Sequence, residues 1–391
     1  MNTIHWLESK QLDRVTNYST ETECIRNILA AGGKMYYYCT FAKQKVYYGL
    51  EDNIIYLGTF RNRFIKHFEF PIRIRLKAIQ IVMKNRNDVI MVNQDLVKLL
   101  RPAIWLNKLL KRNNRFVLDI RTLPTDMKNF DQSMRQYYKQ IGFAVKHFDG
   151  LSFITPFMEK VSLEPFKNQL PTVTWSSGVD VDLFDANKYD YTRDSDTFRI
   201  FYHGGISESR GNIDLIKACA KVVERGYNIE LVQIGKIVDK SIRKYIEENN
   251  YSGWCHLYDA KPLKEIPALV AKCDLPLLPF PDFLAWRVSS PIKLMEYMAM
   301  GKPVLVPDME CFTDILPPES GMVYYYNLHA NNLIEEMADA IIQRIENKTN
   351  DKTYVREDAC IKYVTENFTW KKQAENLMNF CLKSFNSIYG S

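Results

Sequence analysis

Residues 287–308, RVSSPIKLMEYMAMGKPVLVPD, decide how the rest of the chain is read. Ser289 and Ser290 are residues that cap helices, and Pro291 suits a first helical position, where a missing N–H costs nothing. From Ile292 to Met300 apolar residues recur at helical spacing, with Leu294, Met295 and Met298 on one stripe. Gly301 predicts the stop, since glycine enters the left-handed conformation cheaply. Residues 303–306 then read as a short buried strand. Lys293 and Glu296 fall outside the stripe, three apart and so neighbours on another face. They have two readings. One is a solvated ion pair of little energetic weight. The other is a ligand cradle, in which free N–H groups at the helix start attract phosphate, Lys293 adds a cation and Glu296 accepts hydrogen bonds from a ribose.

The second half of the chain alternates strand and helix. Strands are expected at 198–202, 229–234, 255–258 and 275–278, and helices at 212–225, 240–248, 263–272 and 330–345. Such βα alternation with short apolar strands implies a parallel, doubly wound sheet. In the first half, residues 4–7, 89–92, 116–120 and 150–155 read as strands, 35–39 and 46–48 as aromatic and β-prone, and 21–31 and the segment from 156 as helices. Asp119 and Arg121 stand at the carboxyl end of one of these strands, where open α/β sheets place their ligands, and a structural Asp–Arg pair accounts for them equally well. The polar stretch 185–196 makes a linker.

Composition limits the class. The chain has 391 residues, enough for two domains, and 52 Lys and Arg against 46 Asp and Glu give a net charge of +6. That balance fits anionic ligands or a membrane surface and is too small to argue for nucleic acid. The basic residues are not evenly spread. Residues 60–87 carry eight Lys and Arg against one acid, with Phe and Ile interleaved, and residues 98–115 repeat the pattern around Trp105 and Leu109. Each stretch suits an anionic lipid surface or a solvated helix face over an apolar core; two in one half favour membrane association. The eight cysteines show no ligand-like spacing and read as reduced, buried thiols of a cytoplasmic protein. No apolar run reaches the ~18 residues of a membrane span. Asp180-Val-Asp182 is a literal D-x-D, but Asp194-Ser-Asp196 matches as well, so no metal site is expected from either.

The pattern S-P-x-K-x-x-E-Y-M-A-x-G-K-P-V resembles the donor-site motif of the family 4 retaining glycosyltransferases, which have the GT-B fold. Further matches follow in SSGVDVDLF (176–184), HGGISESRG (203–211) and FTWKKQAENLM (368–378); the likeness is strong over about 170–385 and loose before it. It implies two Rossmann-like domains facing a central cleft: 1–178 on the acceptor side, 179–367 on the nucleotide-sugar side, and 368–391 as a helix returning to the first domain. It implies transfer of a sugar from a nucleotide-diphosphate sugar to a glycan or lipid-linked acceptor, with retention of configuration and without metal or other cofactor. Arg210 and Lys293 would stabilise the leaving diphosphate. Gly204, Gly205, Ser289, Ser290, Pro291, Ile292 and Glu296 would contact the donor, and Asp119 and Arg121 would lie on the acceptor side. Nucleic acid is not an expected partner, whereas the inner face of the plasma membrane is. Departures are visible: Val288 and Gly205 stand where many members have Glu and Arg, Asp119 and Arg121 near the place of a histidine, and residues 13–19 where many have a glycine pair. These leave two rivals, a non-catalytic binding protein and a nucleotide-sugar epimerase on the same scaffold.

Overall fold

The computed structural model describes residues 2–12, 19–40, 44–58, 63–125, 129–316, 318–348 and 352–382, with 19, 63–68 and 318 in backbone only. The polar segment after the first strand, and the cations at 61, 63 and 66, therefore lie outside the described residues or side chains. The chain forms two compact units, one of Met1–Gly178, Val288–Ser290 and Trp370–Ser391, the other of Val179–Arg287 and Pro291–Thr369.

The N-terminal unit is built on a seven-stranded sheet: β1 (Thr3–Gln11), β2 (Lys34–Thr40), β3 (Ile54–Tyr56), β4 (Val89–Asn93), β5 (Arg115–Ile120), β6 (Gly150–Phe153) and β7 (Thr172–Thr174). The order is β3-β2-β1-β4-β5-β6-β7 and every pairing is parallel. β4 (VIMVN) is buried along its whole length, as a strand covered on both faces must be. The winding reverses between β1 and β4, which brings Glu8 and Asn93 together at the carboxyl ends of neighbouring strands. The sheet's covering layers include Ser19–Ala30, Arg63–Lys84, Phe130–His147 and the late helix Trp370–Leu382. That last helix packs on Ser19–Ala30 and contributes Ala374, Leu377 and Phe380 to a core with Trp6, Ile25 and Trp175.

Two details differ from the sequence expectation. β1 runs on to Gln11, well past residue 7, because its polar end is laddered: Gln11 pairs with Thr40, and Asn93 hydrogen-bonds Glu8 and Ser9. Residues 46–48 are not a strand. The Tyr56 hydroxyl accepts from the Val46 N–H (2.8 Å), so this aromatic run is a loop folded over β3.

The C-terminal unit has β8 (Phe198–His203), β9 (Ile229–Ile234), β10 (Cys255–Tyr258) and β11 (Leu275–Pro276) in the order β10-β9-β8-β11, all parallel. β12 (Val304–Pro307) and β13 (Val323–Tyr326) pair in parallel, and a single Leu277–Leu305 bridge links them to the larger sheet. β11 is short because Pro276 has no N–H to continue the ladder. Helices alternate with these strands, as the repeated βα pattern requires. The eight cysteines are all buried free thiols. Among the described residues no helix is long and apolar enough to cross a membrane.

Candidate functional site

The loop after β8 and the start of the Ile292–Ala299 helix meet in the C-terminal unit. Gly204 has φ +138°, and a Cβ there would lie 2.3 Å from Lys293 Cε. Only glycine lets the lysine stem pass so close to the loop. Arg210 reaches the neighbouring residue, since a Cβ on Gly205 would lie 3.3 Å from its Nε. The two cations thus converge on the Gly204-Gly205 pair. Arg210 is held from its far side, its guanidinium 5.0 Å from the Trp286 ring centre. The loop itself is pinned from below. Asn212 accepts from the Ser207 N–H (2.9 Å) and donates to Gln233 (2.8 Å), with Asn212 and Gln233 wholly buried.

Among the described residues, neither Arg210 nor Lys293 forms an ion pair. Arg210 does not pair with Glu208, and Lys293 does not pair with Glu296, although helical spacing makes them neighbours. Burial holds the Lys293 ammonium below the ordinary lysine range; Glu296 opposes this and the nearby Arg210 adds to it. The N–H groups of Ile292 and Lys293 also make no hydrogen bond among the described residues, as expected of a helix's first turn. Two cations without an ion pair among the described residues, and open helix N–H groups around a bare glycine backbone, are chemistry suited to an anion.

Glu296 has a different partner, one the sequence reading passed over. It is buried and its Oε2 lies 2.8 Å from His203 Nε2. The proton positions on this network can be assigned. The Tyr297 hydroxyl accepts from the His203 backbone N–H (2.9 Å), so its own proton points to His203 Nδ1 (2.9 Å). That leaves the proton on Nε2, which donates to the carboxylate. Burial lowers the His203 pKa, with Glu296 opposing, consistent with a neutral ring. One Glu296 oxygen is therefore committed, and Oε1 makes no hydrogen bond among the described residues. The only sequence signal for His203 was its place at the head of HGGISESRG.

The other residues singled out by sequence are spread more widely. The helix begins at Ile292 with Pro291 as its cap residue, one position earlier in role than expected. Ser290 does not cap it. Its hydroxyl lies 2.7 Å from that of Ser176 and accepts from the Ser177 N–H (3.1 Å), so it is spent inside the N-terminal unit. Ser289 is half-buried beside it. Val288 is wholly buried, and its carbonyl accepts from the Thr155 hydroxyl (2.7 Å). Asp119 and Arg121 do not pair with each other. Asp119 is wholly buried and accepts from Ser152 (2.6 Å) and the Trp175 indole (3.0 Å), while Arg121 stacks on Trp175 at 3.8 Å. Burial raises the Asp119 pKa, its hydrogen bonds and Arg121 opposing. In the same unit Glu8, unremarked in the sequence, is pushed up to about 8 by burial at the end of β1. Asp180 of the D-x-D accepts from the N–H groups of Asp182 (3.0 Å) and Leu183 (3.1 Å), which makes it a turn former. Among the described residues no group of three or more His, Cys, Asp and Glu is placed to hold a metal.

No curated protein sequence matches the chain. Residues 184–360 match the family model described as glycosyl transferases group 1, a span that contains the loop and helix just described. Solved structures superpose along the full length. Sucrose-phosphate synthase from Thermosynechococcus elongatus has 13% identity and a TM-score of 0.70, covering 99% of this chain and 100% of that one. Trehalose 6-phosphate synthase from Burkholderia multivorans has 12% identity and a TM-score of 0.70, covering 100% and 98%. HepE from Anabaena, solved in complex with UDP-glucose, has 14% identity and a TM-score of 0.70, covering 98% and 99%. The chain therefore has the GT-B fold, and its residues 184–360 match the glycosyl transferase group 1 model.

Proposed function

We propose that the chain is a retaining glycosyltransferase of the family 4 type, moving a hexosyl group from a nucleotide-diphosphate sugar to a glycan or lipid-linked acceptor in cell-surface polysaccharide assembly. The observation that carries the reading is the convergence of Arg210 and Lys293, without carboxylate partners, on the Gly204-Gly205 backbone. A diphosphate supplies the charge this site lacks. In the transfer the acceptor oxygen bonds to the anomeric carbon as the bond from that carbon to the β-phosphate oxygen breaks. The departing oxygen takes the acceptor's proton. Arg210, Lys293 and the N–H groups of Ile292 and Lys293 stabilise the negative charge that grows on it. Glu296, oriented by His203, offers Oε1 to the ribose. The solved complex of HepE with UDP-glucose favours a uridine nucleotide among the candidates.

No metal or cofactor takes a step in this reading, and the work is set in the cytoplasm. The test is transfer from a panel of UDP-, GDP- and ADP-sugars to glycan and lipid-linked acceptors, with the product's anomeric configuration read by NMR. Net retention is expected, undiminished by EDTA. An inverted product, or activity lost in EDTA and restored by Mn²⁺, would refute the mechanism. Absence of both transfer and donor hydrolysis would favour a binding protein instead.

A further inference from the structure

The N-terminal unit leaves an apolar ridge uncovered. Ile72, Leu76 and Met83 of the Arg63–Lys84 helix, and Trp105 and Leu109 of the Arg101–Leu109 helix, are each between 54 and 64% exposed. Steps of four and seven residues place the first three on one helix face, and a step of four does so for the other two. The two helices pack against each other, so the ridges belong to one neighbourhood. Isolated exposed apolar side chains are ordinary, but five at helical spacing on adjoining helices are not.

The surroundings carry one sign of charge. Between residues 70 and 115 there are eleven Lys and Arg against two acids, Asp88 and Asp95. Asp88 is buried and spent on His5 and the Thr3 N–H. Among these cations Arg73 is paired with Glu69, Lys77 lies over the Tyr38 ring and Arg101 lies over the Phe143 ring. Arg75, Lys84, Arg101 and Lys108 are exposed and make no ion pair among the described residues. The Arg63–Lys84 helix is 22 residues long, yet its charge rules out spanning a bilayer.

We infer that this face docks on an anionic lipid surface, with Ile72, Leu76, Met83, Trp105 and Leu109 entering the headgroup boundary and the flanking cations contacting acidic headgroups. Apolar side chains alone would fit a protein partner as well. Exposed cations on both helices, a tryptophan in the ridge, and acids limited to Asp95, the buried Asp88 and Glu69, which is paired with Arg73, fit phospholipid better. The inference concerns a surface distant in sequence from the donor site and does not depend on the sugar-transfer reading.

Vesicle co-sedimentation of the full chain, without any nucleotide sugar, tests it. Binding is expected to vesicles containing phosphatidylglycerol and not to pure phosphatidylcholine, with release as salt rises. The double substitution Arg75→Gln, Lys108→Gln should lower the partition coefficient about thirtyfold, the change that ~1 kcal/mol per cation implies. Leu76→Ser with Trp105→Ser should also release the protein, and both variants should melt like the parent because every altered side chain is exposed. Equal binding to neutral and anionic vesicles, or binding to neither, overturns the inference. So does a concentration-dependent dimer that the Leu76→Ser, Trp105→Ser variant disperses, since the ridge would then be a protein interface.

Discussion

Replacing Glu296 by glutamine separates a ligand role from a merely structural one. The carboxylate's Oε2 accepts from His203 Nε2 at 2.8 Å, while Oε1 makes no hydrogen bond among the described residues. Glutamine can keep the first contact through its carbonyl, so unfolding free energy should change by ~1 kcal/mol or less. It then presents an N–H₂ group where Oε1 stood. A ribose hydroxyl that donates there loses an ionised acceptor, which costs ~1.5–3 kcal/mol. In dissociation constant that is about 10- to 150-fold. Calorimetry with UDP and 2′-deoxy-UDP, on the parent and on Glu296→Gln, closes a double-mutant cycle. The penalty should be large for UDP and shrink for the deoxy analogue. A coupling energy near zero for the nucleotide that binds, with both proteins equally stable, would refute the assignment of Glu296 to that hydroxyl.

Three further outcomes are expected. Arg210→Ala and Lys293→Ala should each lower turnover by roughly 10²-fold or more while the protein still folds, as measured by steady-state kinetics and thermal melting. Gly235→Ala should weaken nucleotide binding although residue 235 is not proposed to touch the ligand, because its Cβ would lie 1.7 Å from the Gly204 carbonyl oxygen and must displace the glycine loop; unchanged affinity by calorimetry would show that the loop's position is unimportant. Glu8 has a native pKa of about 8 against an ordinary 4.5, so the folded state keeps a proton that the unfolded chain releases. Stability should therefore fall as pH rises from 4.5 towards 8, by at most ~1.4 kcal/mol per pH unit, and level off above it; Glu8→Gln should flatten that slope in urea titrations at successive pH values.

The parallel sheets were legible in the sequence where strands are buried on both faces. β9 and β10 have the limits that their apolar runs suggest, and β4 and β5 differ by a residue or so. Elements whose signal is mixed were not. The Phe130–His147 helix is rich in Gln, Lys and Arg and shows only a narrow buried stripe of Met134, Tyr137, Ile141 and Ala144. β7 is a half-buried three-residue strand that no period can reveal. At the site, residue spacing left Lys293 and Glu296 with two readings, the family resemblance linked Lys293 to the glycine loop, and neither pointed to His203 as the partner of Glu296. Helical neighbours at i and i+3 compete with any partner the fold supplies, and here β8 delivers His203 into the same volume. Ser290 misled for a similar reason. A serine ahead of a helix looks like a cap until the tertiary structure offers it Ser176 and Ser177.

The return of Trp370–Leu382 to the core of the N-terminal unit has a consequence for synthesis. Ala374, Leu377 and Phe380 lie among Ile25, Ile28 and Trp175, so that core lacks one wall until the late helix has been made. Residues 179–369 separate the two. At ~5–20 residues per second the ribosome takes about 10–40 s to traverse them. The C-terminal unit, whose own segments are nearly contiguous, can finish folding in that interval. The N-terminal unit then spends it with an unfilled hydrophobic trough over Ser19–Ala30, the interval in which a chaperone would find the nascent protein most accessible.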